Sequence, residues 1–117
     1  MSKLTEDVKK NTALFVSDSH KSETVWGLCN DQGQWLSLDS SEFEDSEVMP
    51  FWSQAEDAQC HCVDEWASFV PTKLSLEEFL EDWLTTLAAD EVLVGLNWNN
   101  ELDGEELEPK AVLDLYL

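Results

Sequence analysis

The sequence predicts an α+β fold: one acidic globular domain over residues 1–117, in which a mainly antiparallel sheet of four or five strands carries three or four packed helices. Three observations lead there. A doubly signalled helix start at Ser75 opens an apolar stripe that continues to Ala89, whereas Val92 to Trp98 is almost uninterrupted apolar residues, as in a central strand covered on both faces. Between the first helix and these, short β-prone segments alternate with turn residues. Helix content is expected to exceed strand content slightly.

Leu4, Val8, Asn11 or Thr12, and Phe15 recur at helical spacing, so residues 3–18 are expected as an amphipathic helix with its lysines on the wet side, ending in the polar stretch Ser17 to His20. Thr24 to Cys29 and Gln34 to Leu38 flank Asn30-Asp31-Gln32-Gly33, turn residues that suit a hairpin of two antiparallel strands. The polar, acidic segment Asp39 to Glu47 reads as a loop. Val48 to Trp52 is short and apolar, and Pro50 has no backbone N–H to give a ladder, which places it as an edge strand. Ser53 and Glu56 have capping-box spacing, predicting a helix to about Val63. Trp66 to Leu74 is expected to be extended. At Ser75 and Glu78 a second capping box is joined by a hydrophobic staple between Leu74 and Phe79, and Leu76, Phe79, Leu80, Trp83, Leu84 and Leu87 form the stripe that follows. After the strand at 92–98 comes an acidic loop, then a final helix from Pro109 with Val112, Leu113 and Tyr116 on its apolar side.

Charge limits the partners. The chain holds 26 acids against six lysines and no arginine, a net charge of −20, and residues 22–117 carry 23 of those acids with only Lys73 and Lys110. Nucleic acid and anionic membranes are repelled by such a surface. Six Trp and five Phe supply apolar area that disordered acidic tails lack, so the chain is expected to fold. No apolar leader follows Met1 and no run of 18 apolar residues occurs, and Cys29, Cys60 and Cys62 are too few for a disulfide framework. A soluble cytoplasmic protein is the expectation.

Pro50-Phe51-Trp52-Ser53, Trp66, Leu76 to Leu84 and Val94-Gly95-Leu96-Asn97-Trp98-Asn99, with Val25-Trp26-Gly27-Leu28 upstream, together resemble a bacterial family, domain of unknown function 2750. The resemblance covers residues 5–110 and implies a fold and a bacterial cytosolic setting, but no catalytic residues. In order of elements the chain is also similar to serine-sensitivity enhancer domains and to some immunity proteins of bacterial toxin systems, which act by interaction.

Candidate chemistry is sparse. Cys60-His61-Cys62 contains zinc-type ligands, but on a helix Cys60 and Cys62 point about 200° apart, leaving only Cys29 and His20 as distant partners. Neighbouring acids would raise a cysteine pKa, and neither His20 nor His61 has a base-and-orienter pattern beside it. Asn99, Glu101, Asp103 and Gly104 match the start of a calcium-loop template, which fails where Lys110 stands in place of the required Glu. No metal and no cofactor are expected. No glycine-rich phosphate loop or nucleophile elbow occurs.

Trp98 between Asn97 and Asn99, with Trp52 and Trp66 at other element ends, are the candidate binding residues, because a strand end can present an indole together with amide donors. The alternative for these indoles is packing over the core with their N–H groups on loop carbonyls. The function expected is a non-enzymatic interaction protein, of inhibitor or immunity type, that meets a cationic protein partner near Asp39 to Glu47 or Glu101 to Glu108. The competing readings are a small-molecule-binding protein or enzyme with an unrecognised site, and acidity that serves solubility alone.

Self-repulsion among these acids should destabilise the folded chain at low ionic strength. The thermal midpoint is expected to rise between about 10 and about 200 mM NaCl as the repulsion is screened. A flat or falling midpoint would mean that the acids are dispersed or internally paired.

Overall fold

The computed structural model describes residues 4, 6–39, 46–62, 66–99 and 104–116. Helix α1, Val8–Ser22, starts where the Asp7 carboxylate accepts the N–H groups of Lys9 and Lys10 at 3.1 and 3.2 Å, an N-cap that satisfies two orphan donors. The expected helix over 3–18 is therefore displaced toward the C-terminus. It runs through the polar stretch expected to end it, because the Ser19 hydroxyl is buried against Val16 O and the Tyr116 hydroxyl, 2.6 Å away. Glu23 then turns the chain through the left-handed region at φ 59°.

Strand β1, Thr24–Asn30, does enter a hairpin. Asn30 Oδ1 accepts the N–H groups of Gln32 and Gln34, Gly33 takes φ 79°, and Leu36 N–H donates to Leu28 O. The returning arm is reduced to one antiparallel bridge, Cys29 with Trp35. The main partner of β1 is instead β4, Phe69–Ser75, paired antiparallel along the whole strand from Thr24↔Ser75 to Asn30↔Phe69.

The single, mainly antiparallel sheet of the sequence reading is corrected to two sheets. Besides the β1–β4 pair, a four-stranded sheet has the order β2-β3-β5-β6, where β2 is Leu38–Asp39, β3 Glu47–Phe51, β5 Leu93–Leu96 and β6 Glu105–Leu107. Its central pair, β3 and β5, is parallel, and an antiparallel bridge between Trp26 and Trp52 joins the two sheets. Asp39 and Glu47, placed in a loop from sequence, lie in β2 and β3, and the acidic loop after Trp98 contains β6. Residues 40–45 of the first stretch lie outside the described residues.

The expected edge strand is also corrected, since β3 is interior. Backbone groups alternate sides along a strand. Phe51 O accepts from Asn97 N on the β5 side, while Trp52 exchanges both bonds with Trp26 on the other. Pro50 shares the side of Trp52, in the gap between that bridge and the β2 pairing at Glu47 and Val48. Its missing donor therefore faces no ladder acceptor.

Helix α2 is only Ala55–Gln59, not a helix to Val63, and the first capping box does not form: Gln54 is the N-cap and makes no side-chain cap bond. The second one sets its helix start as expected, with Glu78 N–H donating to Ser75 Oγ at 3.1 Å and the stapling pair Leu74 and Phe79 both buried. Helix α3 follows without a break through Leu76–Glu78, a π turn at Phe79–Trp83, and Leu84–Ala89. Phe79 and Leu84, both on the expected stripe, are buried in the core on either side of this wide turn. Helix α4, Pro109–Asp114, starts with Pro109 in its first turn.

Four helices are thus present among the described residues. Phe15 of α1, the α3 stripe and Val112 of α4 cover one face of β3 and β5, meeting Phe51, Val94 and Leu96, with Phe51 and Phe79 ring centroids 4.9 Å apart. The other face buries Val48, Trp52, Leu93 and Trp98 under Leu28, Leu36 and Ala58. Coverage on both faces explains the continuous apolar run of β5.

Replacing Ser75 by Ala removes the side-chain acceptor for Glu78 N–H and should cost about 1 kcal/mol of stability, measured by denaturant unfolding at unchanged m-value. No loss would mean that water serves this amide equally well.

Candidate functional site

Parallel β3 and β5 end side by side, the position at which open sheets with parallel strands often place ligands. Beyond the last residue of β5, Asn97 takes φ 47°, a left-handed conformation that Asn adopts more readily than most residues, and its side chain is fully buried. Asn97 Oδ1 accepts from Ser53 N at 2.9 Å, and Asn97 Nδ2 donates to Asn11 O at 3.1 Å and Ser53 Oγ at 3.0 Å. Ser53 Oγ also lies 3.4 Å from Asp18 Oδ2, which accepts from Gln54 Nε2 at 3.2 Å. Ser53 is therefore drawn inward to Asn97 and cannot cap α2, which is the physical reason the first capping box fails.

Trp98 lies in a slot between strands. A Cβ added at Gly95 would stand 2.5 Å from its ring, and one at Gly104 would overlap Cδ1, so both positions require glycine for this close approach. The indole N–H reaches Glu105 O at 3.4 Å, and Trp98 O accepts the indole N–H of fully buried Trp52 at 2.9 Å. Of the five residues singled out for binding, Trp52, Asn97, Trp98 and Asn99 are buried and Trp66 is half-buried. The structure brings Asn97, Trp98 and Trp52 together with Ser53. It places Trp66 on the far side of His61, whose ring centroid is 5.2 Å from Trp52 and 6.3 Å from Trp66.

The Cys60-His61-Cys62 turn follows α2 instead of lying on a helix. Burial pushes the Cys60 thiol up, assisted by Asp57 and opposed by its own backbone hydrogen bond, and burial then Cys60 push the Cys62 thiol up. Both stay protonated and poorly nucleophilic near neutral pH. Burial pushes His61 down, against the hydrogen bond its ring donates to the Trp98 carbonyl and the charge of Asp57. Tyr116, joined to Ser19, is pushed up to about 12 by burial. Among the described residues no group of three or more His, Cys, Asp or Glu could hold a metal ion. Residues 100–103, most of the calcium-loop match, lie outside the described residues.

Sequence reasoning did not connect Asn11, Asp18 and Ser53 to Asn97. The available signal was positional: Ser53 and Asn97 each follow an apolar strand, and two polar residues at matching strand ends can meet if the strands are parallel. No helix among the described residues is long and apolar enough to cross a membrane.

The model of a family described as a protein of unknown function (DUF2750) matches residues 12–115, and the chain belongs to that family. No curated protein matches it.

Asn97→Gly keeps the left-handed backbone available but leaves buried Ser53 N–H without its acceptor, so a loss of about 2 to 3 kcal/mol is expected in denaturant unfolding. Asn97→Ala should cost more, since it adds backbone strain. Equal stability of the Gly variant and the native chain would show that the Asn97 amide contributes nothing net.

Proposed function

We propose that this chain is a non-catalytic interaction module of the bacterial cytosol, of inhibitor or immunity type, that captures a cationic protein on an acidic face of its one domain. The observation that carries this reading is the disposition of acids on the first half of α3. Glu77, Glu78, Glu81 and Asp82 are exposed there, and Glu77 and Glu81, with exposed Glu23 and the edges of Leu76 and Leu80, border a shallow groove. A net charge of −20 on 117 residues gives a long-range field of one sign, which accelerates and selects encounters with basic partners.

The segments 39–47 and 101–108, rich in acids in the sequence, belong to the same proposal. Trp98 acts there from beneath: with Gly104 against its ring and Glu105 O on its indole, it packs against the described part of the second segment, while the Trp52 indole holds its carbonyl. Trp66, half-buried, supplies an aromatic contact at the rim.

The test is capture from native lysate at low and then high salt, followed by association kinetics with any basic protein retained. Association should slow steeply with salt while dissociation changes less. Combined Glu77→Gln, Glu78→Gln and Glu81→Gln should lower the association rate about tenfold without lowering the thermal midpoint. Retention of no specific basic protein, or rates indifferent to both salt and these variants, overturns the reading.

A further inference from the structure

His61 is 6% exposed, in a turn outside any helix or strand, and its Nε2 has no hydrogen-bond partner. Its ring is tilted 32° to Trp52 and 59° to Trp66, so the imidazole closes a slot between two indoles. The floor of that slot is the Trp52 indole N–H bonded to Trp98 O, the same carbonyl that accepts a hydrogen bond from the His61 ring.

A neutral imidazole tolerates this position at modest cost, because an unpaired lone pair on Nε2 is the only unmet demand. A protonated one would bury an N–H and a positive charge against aromatic carbon, with no acceptor at Nε2. We propose that His61 is a proton-operated latch: neutral, it closes the Cys60–Cys62 turn over Trp52, and protonated, it leaves the slot and opens the turn. This does not depend on the proposed partner.

Among the described residues, the charged group that acts on the ring is Asp57 from α2, with the titratable Cys60 and Cys62 flanking it in sequence, while the ends of β3 and β5 present the uncharged Trp52 ring and Trp98 carbonyl. Asp57 favours the protonated form, and burial opposes it more strongly. With the folded value below the ordinary 6.5, the unfolded or opened chain binds the proton more tightly. The contribution to stability is therefore full above that value and is lost as pH falls from it toward the folded value.

The experiment follows two signals on the intact protein by NMR from pH 8 to pH 5: the His61 ring protons, and solvent exchange of the Trp52 indole N–H relative to its intrinsic rate. His61 should titrate below the ordinary 6.5, and protection of the Trp52 indole N–H against exchange should fall about tenfold through the same transition. Asp57→Asn should move that transition to lower pH, and His61→Gln should abolish it. Should the Gln variant fail to fold, the two signals in the native chain still decide: coincident transitions support the latch. A His61 titration that leaves Trp52 exchange unchanged overturns it, as does an unaltered transition in a folded His61→Gln.

Discussion

Two parallel strands that stop together leave their last backbone groups without ladder partners, and here β3 and β5 stop against α1, with Ser53 and Asn97 both buried. A buried amide left unpaired costs as much as several favourable contacts return. The Asn97 side chain meets that demand on three sides, accepting Ser53 N–H and donating to Ser53 Oγ and Asn11 O. One amide thus ties the exit of β3, the exit of β5 and the first half of α1. The position of α1, and with it of Phe15 in the main core, depends on this junction.

The same junction sets the aromatic layer below it. Because Asn97 turns through the left-handed region, the next residue folds back along its own strand, and the Trp98 ring comes to lie on Gly95. Its carbonyl then holds the Trp52 indole, and Trp52 carries the only described backbone bridge between the two sheets. Polar pairing at Asn97 therefore fixes the apolar packing, not the reverse. The Asn97 amide and the Trp52 and Trp98 indoles at this strand end are bonded within the protein's own structure.

That exterior works against folding. Acids on α3 favour its N-terminal half through the macrodipole, yet together they repel one another across a small molecule. The interior compensates by being conventional: two apolar layers, with the Phe15, Phe51 and Phe79 rings in contact on one of them. Two packed apolar layers thus lie beneath a predominantly acidic surface.

Much of the secondary structure was legible because it is written locally. Ser75, Leu74 and Phe79 specify a helix start within six residues, and Leu93 to Leu96 specify a doubly covered strand by their composition. Pro109 and Val112 place the last helix in the same way. Where local signals competed with distant ones, the distant ones won: Ser53 had the spacing to cap α2, but Asn97, 44 residues away in sequence, offered a buried partner. Pro50 marked an edge strand until the gap between Trp26 and β2 gave its missing donor a place inside the sheet. Sequence by itself determined the mixed fold class, the family, the capped helix, the central strand and the sign of the surface. Tertiary structure alone decided that β3 and β5 run parallel, that the sheet is two sheets, and that Asn97 and His61 face inward, because each depends on which distant group satisfies a buried polar atom.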